Sequence, residues 1–212
     1  MVSGLTTLGL IFLPYFYAPL DGDPGRRILD PVYMTRVWVA LLHPLIVLVG
    51  AMGVAAVRMG AAPGWAVGGF VFFLLWAGIE AVQQGLTLVT LNWTWRAGFL
   101  QDIDPAARDR LGAWIAAFDG VSDGLFFVLL IAFVVADVCF AIAVWGGPPI
   151  QRLVATGFAL ASALGVISAL TSFGPGVLPD AVMAVLYPLI QPPARTLTGI
   201  WIWQQASRTG RA

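Results

Sequence analysis

The sequence contains 212 residues, of which 59% are hydrophobic and 10% are charged, and its formal net charge is zero. Soluble globular domains usually carry about a quarter charged residues, so this composition excludes an ordinary soluble protein and predicts a chain that crosses a membrane several times. The 11 basic residues are all arginines and are scattered along the chain, which excludes the basic patch that nucleic-acid binding requires. Because Cys139 is the single cysteine, an internal disulfide is also excluded.

Three apolar stretches in the first half of the chain predict membrane helices over residues 5–20, 37–57 and 65–89. Pro14 and Pro19 interrupt the first stretch, so we expect that helix to be kinked, tilted or only partly inserted. Residues 92–118 are polar and rich in tryptophan, a pattern typical of the membrane interface. They predict an amphipathic segment lying there.

Three further apolar stretches in the second half predict helices over residues 119–145, 153–173 and 182–202. The last of them contains three prolines and is expected to be kinked. The sequence therefore predicts an all-α fold, a transmembrane bundle of about six spans that forms one integral membrane domain over residues 1–212.

Several of the predicted helices have a polar face. On the fourth, Asp119, Asp123 and Asp137 fall on one side because their spacing returns to nearly the same angle at 3.6 residues per turn. On two others, polar residues recur every three or four positions: Glu80, Gln83, Gln84 and Thr87 on the third helix, and Tyr187, Gln191 and Arg195 on the sixth. A polar face on a membrane helix is expected to point into the bundle.

The depth of these side chains can be counted at 1.5 Å per residue from the side of the two long loops. The count predicts layers: His43 and Tyr187 at roughly 8 to 9 Å, Glu80 and Gln191 at roughly 13 Å, and Asp137 and Arg195 at roughly 20 Å. The Asp137 and Arg195 layer has two interpretations. It is either an ion pair that fixes two helices, or the floor of a polar cup that opens toward the long loops.

Glu80 also has two interpretations. It is either a hydrogen-bonded contact between helices, or a neutral carboxylic acid that can donate a proton. The candidate catalytic residues are therefore Glu80 and Asp137, and the candidate ligand-binding residues are His43, Gln84, Tyr187, Gln191, Arg195 and Trp76. Neither a metal site nor a cofactor is predicted, because one histidine and one cysteine on separate helices do not make a recognisable metal motif.

Residues 113–205 combine an acidic helix start, a Gly-Pro turn, a helix of small residues and a final helix that ends in a tryptophan pair. This order, with Asp119, Gly120, Gly146, Pro149 and Trp203, resembles the bacterial six-helix membrane family called domain of unknown function 4386. The resemblance covers the second to the sixth predicted helix. It implies a fold and no activity, so it assigns no catalytic residue.

The functional expectation is an integral membrane protein that holds a hydrophobic or amphipathic small molecule, such as a lipid, an isoprenoid or a pigment. An acid-base isomerase or cyclase is a chemical extension of this expectation, and whether the chain is an enzyme stays open. The alternative is an accessory subunit that stabilises a larger membrane complex. Expected partners are membrane lipid and either a membrane-protein partner or a second copy in a homodimer, but no nucleic acid. The expected location is the bacterial inner membrane, with both termini cytoplasmic.

Overall fold

A computed structural model describes residues 2–19, 23–101 and 104–209, and over these residues the regular structure is helical. The α-helices are α1 (Val2–Phe12), α2 (Pro31–Arg58), α3 (Pro63–Leu86), α4 (Ala97–Leu100), α5 (Pro105–Val144), α6 (Pro149–Phe173) and α7 (Asp180–Thr209). Short 3₁₀ turns at Leu13–Phe16 and Pro24–Leu29 lie between α1 and α2. The all-α prediction is confirmed. The predicted end of the first helix, Leu20, lies outside the described residues.

Proline marks the start of four long helices. Pro31, Pro63, Pro105 and Pro149 each occupy the first turn of their helix, where the missing N–H costs no hydrogen bond and the fixed φ angle is already helical. The sequence prediction began the second helix at residue 37 and treated the preceding residues as a polar loop. The structure begins it at Pro31, with Asp30 as the capping residue.

The third helix continues much further than residue 89. After Leu86 the chain widens into a π-helix, Thr87–Arg96, and then returns to α-geometry in α4, so helical structure runs from Pro63 to Leu100. The predicted interfacial segment, residues 92–118, is therefore divided between the end of this stretch and the beginning of α5. A separate surface helix is not confirmed.

The longest helix, α5, contains 40 residues. At 1.5 Å per residue it is about 60 Å long, roughly twice the hydrocarbon thickness of a bilayer. Its first turns carry Arg108, Asp109 and Arg110, all exposed, so this end projects beyond the apolar layer.

The long helices form a closed ring. Each packs against its neighbours in the order α1, α2, α3, α5, α6, α7, and α7 returns to α1. The main core lies mostly where α2, α3, α5 and α6 meet, and its largest fully buried side chains include Trp201, Phe140 and Val54. Polar side chains on the inner faces of these helices therefore face a common interior.

Four helical stretches are long and apolar enough to cross a membrane: Pro31–Arg58, Pro63–Leu100, Pro105–Val144 and Pro149–Phe173. Val2–Phe16 is apolar but shorter. The long helix α7 contains Pro188, Pro192 and Pro193. The structure thus supports a membrane protein with four candidate spans, while the predicted six are not confirmed.

Candidate functional site

A polar cavity of about 550 Å³ lies inside the ring, and we call it the polar chamber. It is bounded by residues 7–11 of α1, 33–43 of α2 and 118–133 of α5, together with parts of α3 and α7. Seven of the eight residues proposed from the sequence line this chamber: His43, Trp76, Glu80, Gln84, Tyr187, Gln191 and Arg195. These residues come from three helices, and the ring brings them together.

A second cavity of about 480 Å³, which we call the apolar chamber, lies further along the same helices. Its walls include residues 46–54 of α2 and 133–140 of α5, so it follows the polar chamber along both helix axes. Most of its lining is aliphatic or aromatic. Asp137, the eighth proposed residue, faces this cavity and is only 1% exposed.

The two chambers share three lining residues: Phe133, Gln191 and Arg195. Gln191 and Arg195 lie one turn apart on α7, and Phe133 faces them from α5. Arg195 therefore borders both chambers, and its charge is close enough to interact electrostatically with Glu80 and Asp137. We refer to these three shared residues as the junction.

His43 is held on two sides. Its Nδ1 lies 2.8 Å from the Thr6 hydroxyl on α1, and its ring meets Trp76 edge-on with the ring centroids 6.3 Å apart. The Arg195 guanidinium lies over the Trp76 ring, 5.9 Å from the centroid. Trp76 thus carries a histidine and an arginine contact from two other helices, which fixes the positions of both polar side chains at the chamber wall.

Asp137 and Arg195 do not form the direct ion pair that one interpretation of the sequence predicts. The salt bridges among the described residues are Arg27 with Asp30 and Arg108 with Asp23, and neither involves this layer. Asp137 Oδ2 and the Nε and Nη1 atoms of Arg195 are buried without hydrogen-bond partners in the described part of the chain. Unsatisfied charged groups are costly in an apolar interior, so this layer has unused hydrogen-bonding capacity.

Sequence reasoning missed polar residues nearer the long loops. Arg36, which was placed in a loop, lies in α2 and lines the polar chamber, and its Nε donates to the Leu10 carbonyl over 3.3 Å. Arg96, in the π-helix, donates to the Tyr33 hydroxyl over 2.7 Å and to Asn92 Oδ1 over 2.9 Å. The Asp-Pro pair at residues 30 and 31 was the available signal, because it marks the start of a helix whose inner face contains Tyr33 and Arg36.

Gln83 joins two helices, a role that the spacing of polar residues on α3 did not predict. Its Nε2 donates to both the carbonyl and the hydroxyl of Ser122, over 2.9 and 2.8 Å, and joins α3 to α5. Asp119 and Asp123 line the polar chamber but are exposed at its edge. The acidic face of α5 is therefore split between two environments, since Asp137 is buried against the apolar chamber.

Within the described residues, histidine, cysteine and carboxylate side chains do not come together in a group of three that could hold a metal ion. Comparison of the chain with protein-family models, curated proteins and solved structures finds no match. The resemblance to the six-helix family thus stays a prediction.

Proposed function

We propose that this protein is an integral membrane protein that binds an amphipathic small molecule, a lipid or an isoprenoid, with its polar end in the polar chamber and its apolar chain in the apolar chamber. The observation that carries the proposal is that a polar and an apolar cavity adjoin along the helix axes and share the junction residues. Such a pair of compartments matches an elongated amphiphile better than it matches an ion or a small polar solute.

The proposal places α1 and α7 in the membrane with the four candidate spans, because both helices close the ring around the chambers. It makes the protein a six-span bundle of the bacterial inner membrane, with both termini cytoplasmic. Residues 92–118 then contribute the tryptophan-rich region at the membrane interface on the opposite side. Membership of the six-helix family that the sequence resembles is part of the same proposal.

Two matched glycine substitutions test the proposal. Gly50 lines the apolar chamber, and a Cβ built there meets no atom within 4 Å, so Gly50→Leu adds bulk to the cavity without an immediate clash. Gly78 on α3 has the same free space but lines neither chamber, which makes Gly78→Leu the control. Binding of tritiated dodecanol to the protein in lipid nanodiscs, corrected with empty nanodiscs, is the measurement.

We expect Gly50→Leu to weaken dodecanol binding by about tenfold, or about 1.4 kcal/mol, while Gly78→Leu leaves it unchanged. Equal binding by both variants and the unmodified protein would show that the probe does not occupy the apolar chamber. Absence of saturable binding to the unmodified protein would remove the proposal itself.

Acid-base catalysis by Glu80 and Asp137, one in each chamber, is an extension of the binding proposal. Glu80 borders the polar chamber and Asp137 the apolar chamber, with aromatic walls between them, an arrangement suited to acid-initiated isomerisation or cyclisation of an isoprenoid alkene. Glu80 would donate a proton to an alkene carbon, and Asp137 would stabilise the positive charge of the resulting carbocation. The Glu80 carboxylate would then take a proton from a neighbouring carbon, which forms the new double bond and restores the acid. Incubation with geranylgeraniol in D₂O tests this role: deuterium incorporation that persists in Glu80→Gln would exclude Glu80 as the donor.

An accessory subunit is the alternative function, and the exposed apolar residues of the outer faces are compatible with it. The alternative predicts that mild detergent extracts the chain with another membrane protein in fixed stoichiometry. The binding proposal instead predicts a monomer or homodimer that carries lipid-like mass, which native mass spectrometry distinguishes.

A further inference from the structure

The charged side chains that line the polar chamber differ in their hydrogen-bond partners and in their exposure. Arg36 and Arg96 donate to protein oxygens, and Asp119 and Asp123 are exposed at the chamber edge. Arg96 leaves only its Nε without a partner, whereas Arg195 makes no hydrogen bond to the described residues, and its Nε and Nη1 are both buried. Arg195, the deepest arginine of the polar chamber, is therefore the one without a hydrogen-bond acceptor among the described residues.

A guanidinium cannot avoid the cost of being buried without hydrogen bonds by losing its proton, since arginine stays charged in proteins. A carboxyl group, in contrast, can become neutral by holding its proton in an apolar environment. Neither Asp137 nor Glu80 takes part in a salt bridge among the described residues, so neither pairs directly with Arg195. The guanidinium at the boundary of the apolar cavity accordingly has no direct carboxylate contact among the described residues.

We infer that the amphiphile of the proposed function is an anion, and that its carboxylate or phosphate group is held by Arg195 at the junction while its chain fills the apolar chamber. This inference rests on the proposed function and adds the chemical class of the ligand. Oxyanions satisfy a guanidinium with charge-assisted hydrogen bonds, which are about twice as strong as neutral ones. Gln191, which is 3% exposed and borders both chambers, offers an amide beside the same group.

Four probes with the same twelve-carbon chain test the inference: dodecanoate, dodecyl phosphate, dodecanol and dodecyltrimethylammonium. Each probe is titrated into nanodiscs that contain the protein. Because probes with different head groups partition differently into lipid, each affinity is calculated from the concentration of the probe in the membrane, which is measured with empty nanodiscs. We expect at least one anion to bind about tenfold or more tightly than dodecanol, the usual contribution of a hydrogen bond to a charged group. The stronger anion identifies carboxylate or phosphate as the natural head.

Arg195→Gln should remove this preference, so that neither anion binds more tightly than dodecanol; its thermal unfolding, compared with that of the unmodified protein, reports whether the variant is folded. Arg195→Lys keeps the charge and should keep part of the preference. Arg110→Gln removes an exposed arginine that lines neither chamber and should change nothing.

Equal affinity for dodecanol and both anions would overturn the inference, and would show that Asp137 or Glu80 already neutralises Arg195. Preference for dodecyltrimethylammonium would overturn it as well. Both results leave the proposed function intact, because a probe still binds. Failure of all four probes would instead contradict the proposed function.

Discussion

At the scale of single residues, the structure satisfies its polar groups unevenly. Asp30 at the start of α2 accepts N–H groups from Val32, Tyr33 and Ala18 at 2.8, 3.2 and 2.8 Å, although it is only 6% exposed. Asp137 beside the apolar chamber and Arg195 at the junction have buried atoms without hydrogen-bond partners among the described residues. The fully bonded acid stabilises the fold, whereas the incompletely bonded layer is where a ligand can add hydrogen bonds.

Asp30 gives a pH-dependent prediction. Burial acts to raise the pKa of Asp30, but the N–H groups of Ala18, Tyr33 and Val32 and the charge of Arg27 outweigh it and hold the pKa below the ordinary value of 3.8. A carboxyl with a lowered pKa in the folded state stabilises the fold above its unfolded pKa. That stabilisation is lost as the pH falls through the folded pKa.

We therefore expect Asp30→Ala to reduce the free energy of unfolding by about 0.5 to 2 kcal/mol at neutral pH, the usual range for a lost helix cap. Asp30→Asn, which keeps an acceptor oxygen and loses the charge, should cost less at neutral pH, and its deficit should shrink below pH 3.8. Thermal unfolding in detergent at both pH values is the measurement.

Asp104→Asn is the matched control, because Asp104 also precedes a helix that begins with proline but its side chain makes no capping hydrogen bond. This variant should show little change at either pH. A deficit for Asp30→Asn that stays constant from neutral to acidic pH would contradict the role given to its charge.

The candidate site was predictable from the sequence to the extent that polar spacing reveals a helix face. Glu80, Gln191 and Arg195 were found in this way and His43 as the single histidine of the sequence, and the structure places all four around the polar chamber. Their functional roles stay predictions. The direct Asp137–Arg195 contact could not be settled from depth alone, because helix rotation decides whether two side chains at one height meet.

At the scale of elements, α3 packs so closely against α5 that one position on α3 has no space for a side chain. A Cβ at Gly69 would clash with ring atoms of Phe140. The Phe140 ring is fully buried and is stacked on Phe73, with the ring centroids 5.4 Å apart. The ring also meets Phe158 at 5.4 Å and has little room to move. Only glycine fits this position without displacing the aromatic core.

Gly69→Ala should consequently lower the free energy of unfolding by about 1 to 3 kcal/mol, the usual cost of overpacking a core. Gly78→Ala, on the same helix but with open space around its Cβ, should be neutral or stabilising by up to about 1 kcal/mol through helix propensity. Equilibrium unfolding in mixed detergent micelles compares the two. Equal stability of both variants would show that the Gly69 contact is looser than the structure indicates.

Helix positions were predictable, but helix ends were not. Hydrophobicity located the middle of each element because the apolar core of a bilayer sets that pattern. It could not follow helices that continue beyond the apolar layer, so residues 92–118 were assigned to a surface segment instead of to two long helix ends. The π-helix had no sequence signal, since it depends on tertiary partners such as Tyr33, which donates to the buried Asn92.

At the scale of the whole molecule, the ring of helices explains why polar groups from distant parts of the sequence face one interior. The ring order follows the chain, and the contacts of α7 with both α1 and α2 close it. Sequence patterns gave the polar faces but not this closure, which requires the packing of both end helices. The same closure produces the two adjoining chambers, so the proposed function is a property of the complete ring.

The most direct measurement is an experimental structure of the protein in lipid nanodiscs, with the density inside the ring as the observation. We expect one elongated, non-protein density that runs from the apolar chamber past Phe133, Gln191 and Arg195 and ends in the polar chamber. Chambers closed by the inward movement of α1 and α7, or a polar chamber that holds only separate waters beside an empty apolar one, would contradict it.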